Sequence, residues 1–113
     1  FIDARDRRFM DSLTSYLERE LSNQNLDMDM IAEELCVSRS VLYRRIKSLT
    51  GLSPNDCVRD YRLKRAVELM GAGETLAEVA ERCGFSSYSY FSKSFKQHFG
   101  MSPKEYLKSG KRD

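Results

Sequence analysis

The sequence predicts an all-α fold, with two helix-turn-helix lobes joined by a long linker helix. Three observations carry that reading. The first is a repeat: Ile31 to Pro54 reads IAEELCVSRSVLYRRIKSLTGLSP, and Val79 to Pro103 reads VAERCGFSSYSYFSKSFKQHFGMSP. Each copy is a short helix, a turn, a second helix with a basic-polar stripe, and then Gly-x-Ser-Pro. Self-similarity of this kind sets the architecture before any single element does. The second is periodicity: no segment alternates with period two, and nearly every stretch has the helical period. The third is charge placement. Through Leu35 the chain has nine acids and four bases, and from Cys36 onward fifteen bases and eight acids, although the net charge is only +2. Both basic-polar helices fall in the positive part, as a surface facing phosphate requires.

The elements follow in order. A first helix runs from about Asp3 to Leu21, with Phe9, Leu13, Tyr16, Leu17 and Leu21 as its apolar stripe, and ends in the polar stretch Ser22-Asn23-Gln24-Asn25. Asp27 caps a short helix to Leu35, and Cys36-Val37 forms the turn. Ser38 caps the second helix of the first copy, which runs to about Thr50. Gly51 suits the left-handed position after a helix end, Ser53 caps the next helix and Pro54 takes its first position. That linker helix, to Met70, has apolar residues on more than one side. Its Arg59, Arg62, Lys64 and Arg65 are expected mostly to be solvated or paired with Asp56, Asp60 or Glu68. Gly71-Ala72-Gly73 breaks it, and Thr75-x-x-Glu78 opens the second lobe as a capping box; Ser102 and Glu105 form another. The expected division is 1–52 for the N-terminal helix and first lobe, 53–71 for the linker helix, and 72–113 for the second lobe and C-terminal helix.

The two copies align almost without gaps. Ser40, Tyr43, Arg44 and Lys47 match Ser89, Ser92, Lys93 and Lys96 at an offset of 49, whereas the front helices match at 48, so the second turn is one residue longer. The four positions are spaced i, i+3, i+4, i+7, which is one helix face. Leu42, Ile46 and Leu49, or Phe91, Phe95 and Phe99, line the opposite face. One such stripe is an ordinary solvated surface. The same stripe twice, in the same place relative to a turn, points to nucleic acid. Arg44 can fork onto guanine O6 and N7, Lys93 can reach the same acceptors singly, and Tyr43 and Tyr88 suit a thymine methyl or a phosphate. Arg39, Lys47 and Lys96 suit the phosphate backbone. One difference stands out: Cys36 occupies the turn position that Gly84 holds in the second copy. A left-handed backbone is unusual for cysteine, so the first turn is expected to differ in detail.

Composition excludes several classes. The chain is 41% hydrophobic and 32% charged, as a soluble globular protein is, and no apolar run approaches the roughly 20 residues of a membrane span. No signal-peptide pattern is present. Cys36, Cys57 and Cys83 lack CxxC spacing and read as small buried hydrophobes, with no metal or other cofactor expected. Free thiols and the missing secretion signal imply the cytoplasm. His98, the one histidine, is placed on the inward side of its helix, and no acid pair or Gly-rich phosphate loop has usable spacing, so no catalysis is expected. The competing class is a helical protein-interaction module whose stripes meet acidic partners.

The sequence resembles the DNA-binding domain of AraC/XylS-type bacterial transcription regulators. The resemblance is carried by Ala32 to Pro54, by Arg62-x-x-x-Ala66, by Val79-Ala80-x-x-Cys83-Gly84-Phe85, and by Tyr90-Phe91-Ser92-Lys93-x-Phe95-Lys96-x-x-Phe99-Gly100-x-Ser102-Pro103. It spans about Asn25 to Leu107, and the stretch SRSVLYRRIKSLTG is similar to the output domain of Bacteroides-type hybrid two-component regulators. The resemblance implies seven helices and double-stranded DNA as the partner, with two recognition helices in successive major grooves. It places base contacts at Ser40, Tyr43 and Arg44, and at Tyr88, Ser89, Tyr90, Ser92 and Lys93. It further implies a sensor or dimerisation region elsewhere in the same protein, RNA polymerase as a second partner, and no membrane contact by this domain.

Overall fold

The computed structural model describes residues 3–109; the ends of the expected first and second lobes, residues 1–2 and 110–113, lie outside the described residues. Seven helices follow one another: α1 (Ala4–Arg19), α2 (Met28–Glu34), α3 (Arg39–Thr50), α4 (Pro54–Gly71), α5 (Leu76–Arg82), α6 (Tyr88–Phe99) and α7 (Pro103–Ser109). There is no strand among the described residues. The chain divides into two compact units, residues 1–20 with 25–59 and residues 21–24 with 60–113.

Side-chain caps set most of the helix starts. Asp27 accepts from the Met30 N–H at 2.9 Å, Ser38 from the Val41 N–H at 3.2 Å, and Ser87 from the Tyr90 N–H at 3.0 Å. Thr75 with Glu78 and Ser102 with Glu105 form reciprocal capping boxes, each pair meeting the other's backbone N–H at 2.8–3.2 Å. Each such cap satisfies amides that have no partner within the helix and stabilises it by about 1 kcal/mol.

In the first unit, α1 buries Phe9, Leu13, Tyr16 and Leu17, α2 buries Ile31 and Ala32, and α3 buries Leu42 and Ile46. Burying each large side chain contributes roughly 1.5–3 kcal/mol. Arg45 ties α3 to α1: its guanidinium lies 4.2 Å from the Phe9 ring centroid and 3.1 Å from Asp6 Oδ1. Helix α1 ends at Arg19, two residues before the expected Leu21. The backbone leaves the helix at Glu20, and Leu21 packs against the core of the second unit.

That second core is richer in aromatic rings. Leu63, Ala66, Leu69 and Met70 of α4, Val79, Ala80 and Cys83 around α5, and Phe85, Phe91 and Phe95 form one buried cluster. Phe91 sits 5.1 Å from Phe85 and 5.8 Å from Phe95, and Phe95 meets Tyr106 of α7 edge-on at 5.5 Å. Offset and edge-on pairs of this kind add about 0.5–1.5 kcal/mol beyond their buried area.

The two helix-turn-helix turns are built alike, which corrects the expectation that they would differ. Cys36 has φ 59° and Gly84 φ 80°. In each turn the left-handed residue donates its N–H three residues back, Cys36 to Glu33 O and Gly84 to Glu81 O. The next residue donates five back, Val37 to Ala32 O and Phe85 to Ala80 O. This paired closure satisfies the last carbonyls of α2 and α5, and its hydrogen bonds offset the strain at cysteine. The second turn is one residue longer, as the repeat offsets require: α2 and α5 start 48 residues apart, α3 and α6 49.

Three side-chain placements depart from expectation. Cys83 is buried, but Cys57 is half-buried and Cys36 is exposed, because a left-handed residue at a helix exit points its side chain away from the packed face. His98 is not inward: it is exposed, with Nε2 3.3 Å from Asp60 Oδ1, while its neighbour Phe99 takes the place against the aromatic cluster.

Candidate nucleic-acid interface

Helices α3 and α6 are each twelve residues long, start after a capping serine and stop at a left-handed glycine, Gly51 or Gly100. Leu42 and Ile46, or Phe91 and Phe95, are fully buried. Those inward anchors fix the rotation of each helix, and helical spacing then turns the opposite positions outward. On α3, Ser40, Tyr43, Arg44 and Lys47 are all exposed, as is Arg39 at the helix start. On α6, Tyr88, Ser89, Tyr90, Lys93 and Lys96 are exposed, and Ser92 is half-buried. In each unit the four positions spaced i, i+3, i+4, i+7 therefore share one helix face, while Arg39, Tyr88 and Tyr90 flank it in the first turns of α3 and α6.

Three tyrosines stand out on these faces, with Tyr43 47%, Tyr88 38% and Tyr90 45% exposed. Core packing does not account for so much open aromatic surface. Tyr88 and Tyr90 are steadied at the first turn of α6 by Phe91 and Phe85, at ring distances of 6.0 and 5.7 Å. Ser40 is within 3.2 Å of the Ser38 hydroxyl.

Several cations off these faces are held in ion pairs. Arg19 pairs with Glu34, Arg45 with Asp6, Arg59 with Asp56, Lys64 with Asp60, Arg65 with Glu68 and Arg82 with Glu74. Exposed pairs of this kind contribute little stability, but they do cancel field. Among the described residues, Arg44, Lys47, Lys93 and Lys96 pair with no acid. Arg39, expected at the phosphate backbone, lies 3.3 Å from Asp29 Oδ1, so its charge is partly met within the unit. The linker arginines mostly pair as expected. Arg62 is the exception: it donates to the backbone carbonyls of Asn23 at 2.7 Å and Gly84 at 3.3 Å. No local pattern signals that role, because the acceptors lie 39 and 22 residues away.

The chemistry of other classes is not gathered here. No group of three His, Cys, Asp or Glu side chains among the described residues could hold a metal ion. Burial pushes the Cys83 thiol up to about 11, which keeps it protonated at neutral pH. No described helix is long and apolar enough to cross a membrane.

Comparison with known proteins agrees with this geometry. A family model described as a helix-turn-helix domain matches residues 31–109. Histidine kinase P4 of Formosa agariphila is 31% identical over 106 residues, 93% of this chain but 8% of that protein. The transcriptional regulator AdiY of Escherichia coli K12 is 34% identical over 98 residues, 86% of this chain and 38% of that protein. The chain thus spans well under half the length of these relatives. Among solved structures, the C-terminal domain of the response regulator AraT from Geobacillus stearothermophilus has TM-score 0.79 at 31% identity, covering 95% of this chain and 86% of that one. An AraC-type regulator from Chromobacterium violaceum has TM-score 0.80 at 30% identity over 91% and 92%. The DNA-binding domain of AdpA, solved with a target DNA, has TM-score 0.79 at 27% identity over 89% and 90%. With its repeated capped helices, left-handed turns and outward stripes, the chain belongs to the AraC-type helix-turn-helix family.

Proposed function

We propose that the chain is the sequence-specific, duplex-DNA-binding output domain of a bacterial transcription regulator. The observation that carries this reading is the repeated face of unpaired cations and open tyrosines on α3 and α6. Duplex DNA is a dense array of phosphates, and uncompensated Lys and Arg bind it by releasing counterions. Ser40, Tyr43 and Arg44, with Tyr88, Ser89, Tyr90, Ser92 and Lys93, are the base-contacting set; Arg39, Lys47 and Lys96 hold the backbone. Residues 1–52 and 72–113 act as two reading lobes, with 53–71 as the linker, and the two helices enter successive major grooves. The DNA complex of the related AdpA domain supports this reading. The response-regulator and histidine-kinase relatives support a two-component setting. In that setting the domain works in the cytoplasm without catalysis or cofactor, a sensor or dimerisation region of the same protein governs it, and RNA polymerase is its second partner.

The test is a salt titration on selected and random duplexes. Arg44→Ala should cost about 1–3 kcal/mol on the selected site, relax preference at one base pair, and leave random DNA nearly unaffected. Lys47→Ala and Lys96→Ala should weaken both duplexes alike, each lowering the log–log salt slope by about one unit. Equal affinity for selected and random duplexes, or tighter binding to acidic proteins than to DNA, would sink the proposal.

A further inference from the structure

Arg62 is set apart from every other cation on α4. Its neighbours Arg59, Lys64 and Arg65 pair with acids near the surface. Arg62 is half-buried and spends its guanidinium on two main-chain carbonyls, Asn23 O at 2.7 Å and Gly84 O at 3.3 Å. Burial pulls its pKa down from the usual guanidinium range, yet it stays charged at any physiological pH. The planar fork serves the two acceptors from two nitrogens at a fixed separation, Nη1 for Gly84 and Nη2 for Asn23, whereas an ammonium has to reach both from one nitrogen.

The junction is tight. A Cβ added at Gly84 would lie 2.4 Å from the Leu21 carbonyl oxygen, 2.8 Å from Arg62 Cζ and 2.9 Å from its Nη2. Three pieces of the second unit therefore meet at one point: residues 21–24, the middle of α4, and the helix-turn-helix turn. Gly84 is the left-handed residue closing α5, and Ser87, three residues on, caps α6. In the first unit the reading helix is tied down from its own length, by Arg45 to Asp6 and Phe9. Helix α6 has no arginine of its own; its turn is held from outside.

We propose that Arg62 is the positioning residue for the second reader, fixing the direction in which α6 leaves its turn by clamping Gly84 to the 21–24 segment. The proposal rests on the DNA-reading function above. It separates two kinds of arginine in this domain: those that touch DNA, and one that aims a helix at it.

The experiment compares the 113-residue chain with Arg62→Lys and Arg62→Gln. Base preference is read by selection from random duplexes, folding by circular dichroism, and local opening by amide exchange at residues 84–86. Both variants should fold, lose about tenfold of their discrimination at the base pairs read by α6, and keep that read by α3. Exchange at 84–86 should quicken. An unaltered preference profile overturns the proposal. So does an equal loss at both base clusters, or failure of both variants to fold at any temperature; each makes Arg62 a general stability residue. Should the unsubstituted chain show no duplex preference, the DNA reading falls and amide exchange decides the clamp, which unchanged protection at 84–86 in Arg62→Lys would refute.

Discussion

Cys36 and Gly84 adopt the same left-handed conformation with different side chains, and the difference is informative. At Cys36 the cost is conformational strain, since the side chain is exposed. At Gly84 any side chain meets the Leu21 carbonyl and the Arg62 guanidinium as well. Cys36→Gly should therefore stabilise the chain by about 1 kcal/mol, a rise of a few degrees in Tm. Gly84→Ala should destabilise it by more than about 2 kcal/mol, because strain and collision add. Thermal and urea unfolding check both, and equal and opposite shifts would mean that the crowding at Gly84 relaxes freely. The sequence pointed away from a left-handed Cys36 because single-residue preference disfavours it. Preference lost to closure: the two backbone bonds at Cys36 and Val37 form as readily as those at Gly84 and Phe85. The outward positions were legible because Leu42, Ile46, Phe91 and Phe95 fix helix rotation from within the same twelve residues.

At the scale of the element, the starts of α5 and α7 depend on carboxylates. The carboxyls of Glu78 and Glu105 are held below the usual range, chiefly by the backbone N–H groups of Thr75 and Ser102. A folded pKa below the unfolded one means stabilisation present above the unfolded value and lost as pH falls through the folded one. As pH falls below the usual glutamate range, therefore, the first turns of α5 and α7 should loosen. Amide exchange at Thr75 and Ser102 reads this directly. Glu78→Gln and Glu105→Gln should exchange faster at neutral pH and respond less to acid; an acid response as large as before would place the titration elsewhere. These boxes were legible because their partners are three residues apart. The exit of α1 before Leu21, the turn of His98 toward Asp60 and the clamp at Arg62 were not. Each is decided by a contact across the fold, with no pattern near it in the chain.

At the scale of the whole molecule, two unlike readers in one chain need no second copy to read two grooves. The 113-residue chain should bind one asymmetric site as a monomer, with recognised bases in two clusters roughly 10 base pairs apart. A flexible step between the clusters should help where the duplex must bend. Footprinting with stoichiometry checks this; a palindromic site taken cooperatively by two chains, or protection of a single groove, would contradict it. The matched frames of α3 and α6 also bear on how such a domain changes over generations. Serine start, glycine stop and inward anchors carry the folding, while most outward positions support no packing. Substitutions there are nearly invisible to stability, so each half of the binding site is free to drift with its own helix. On the proposed reading, one half-site can thus change in small steps while the second half keeps the complex together.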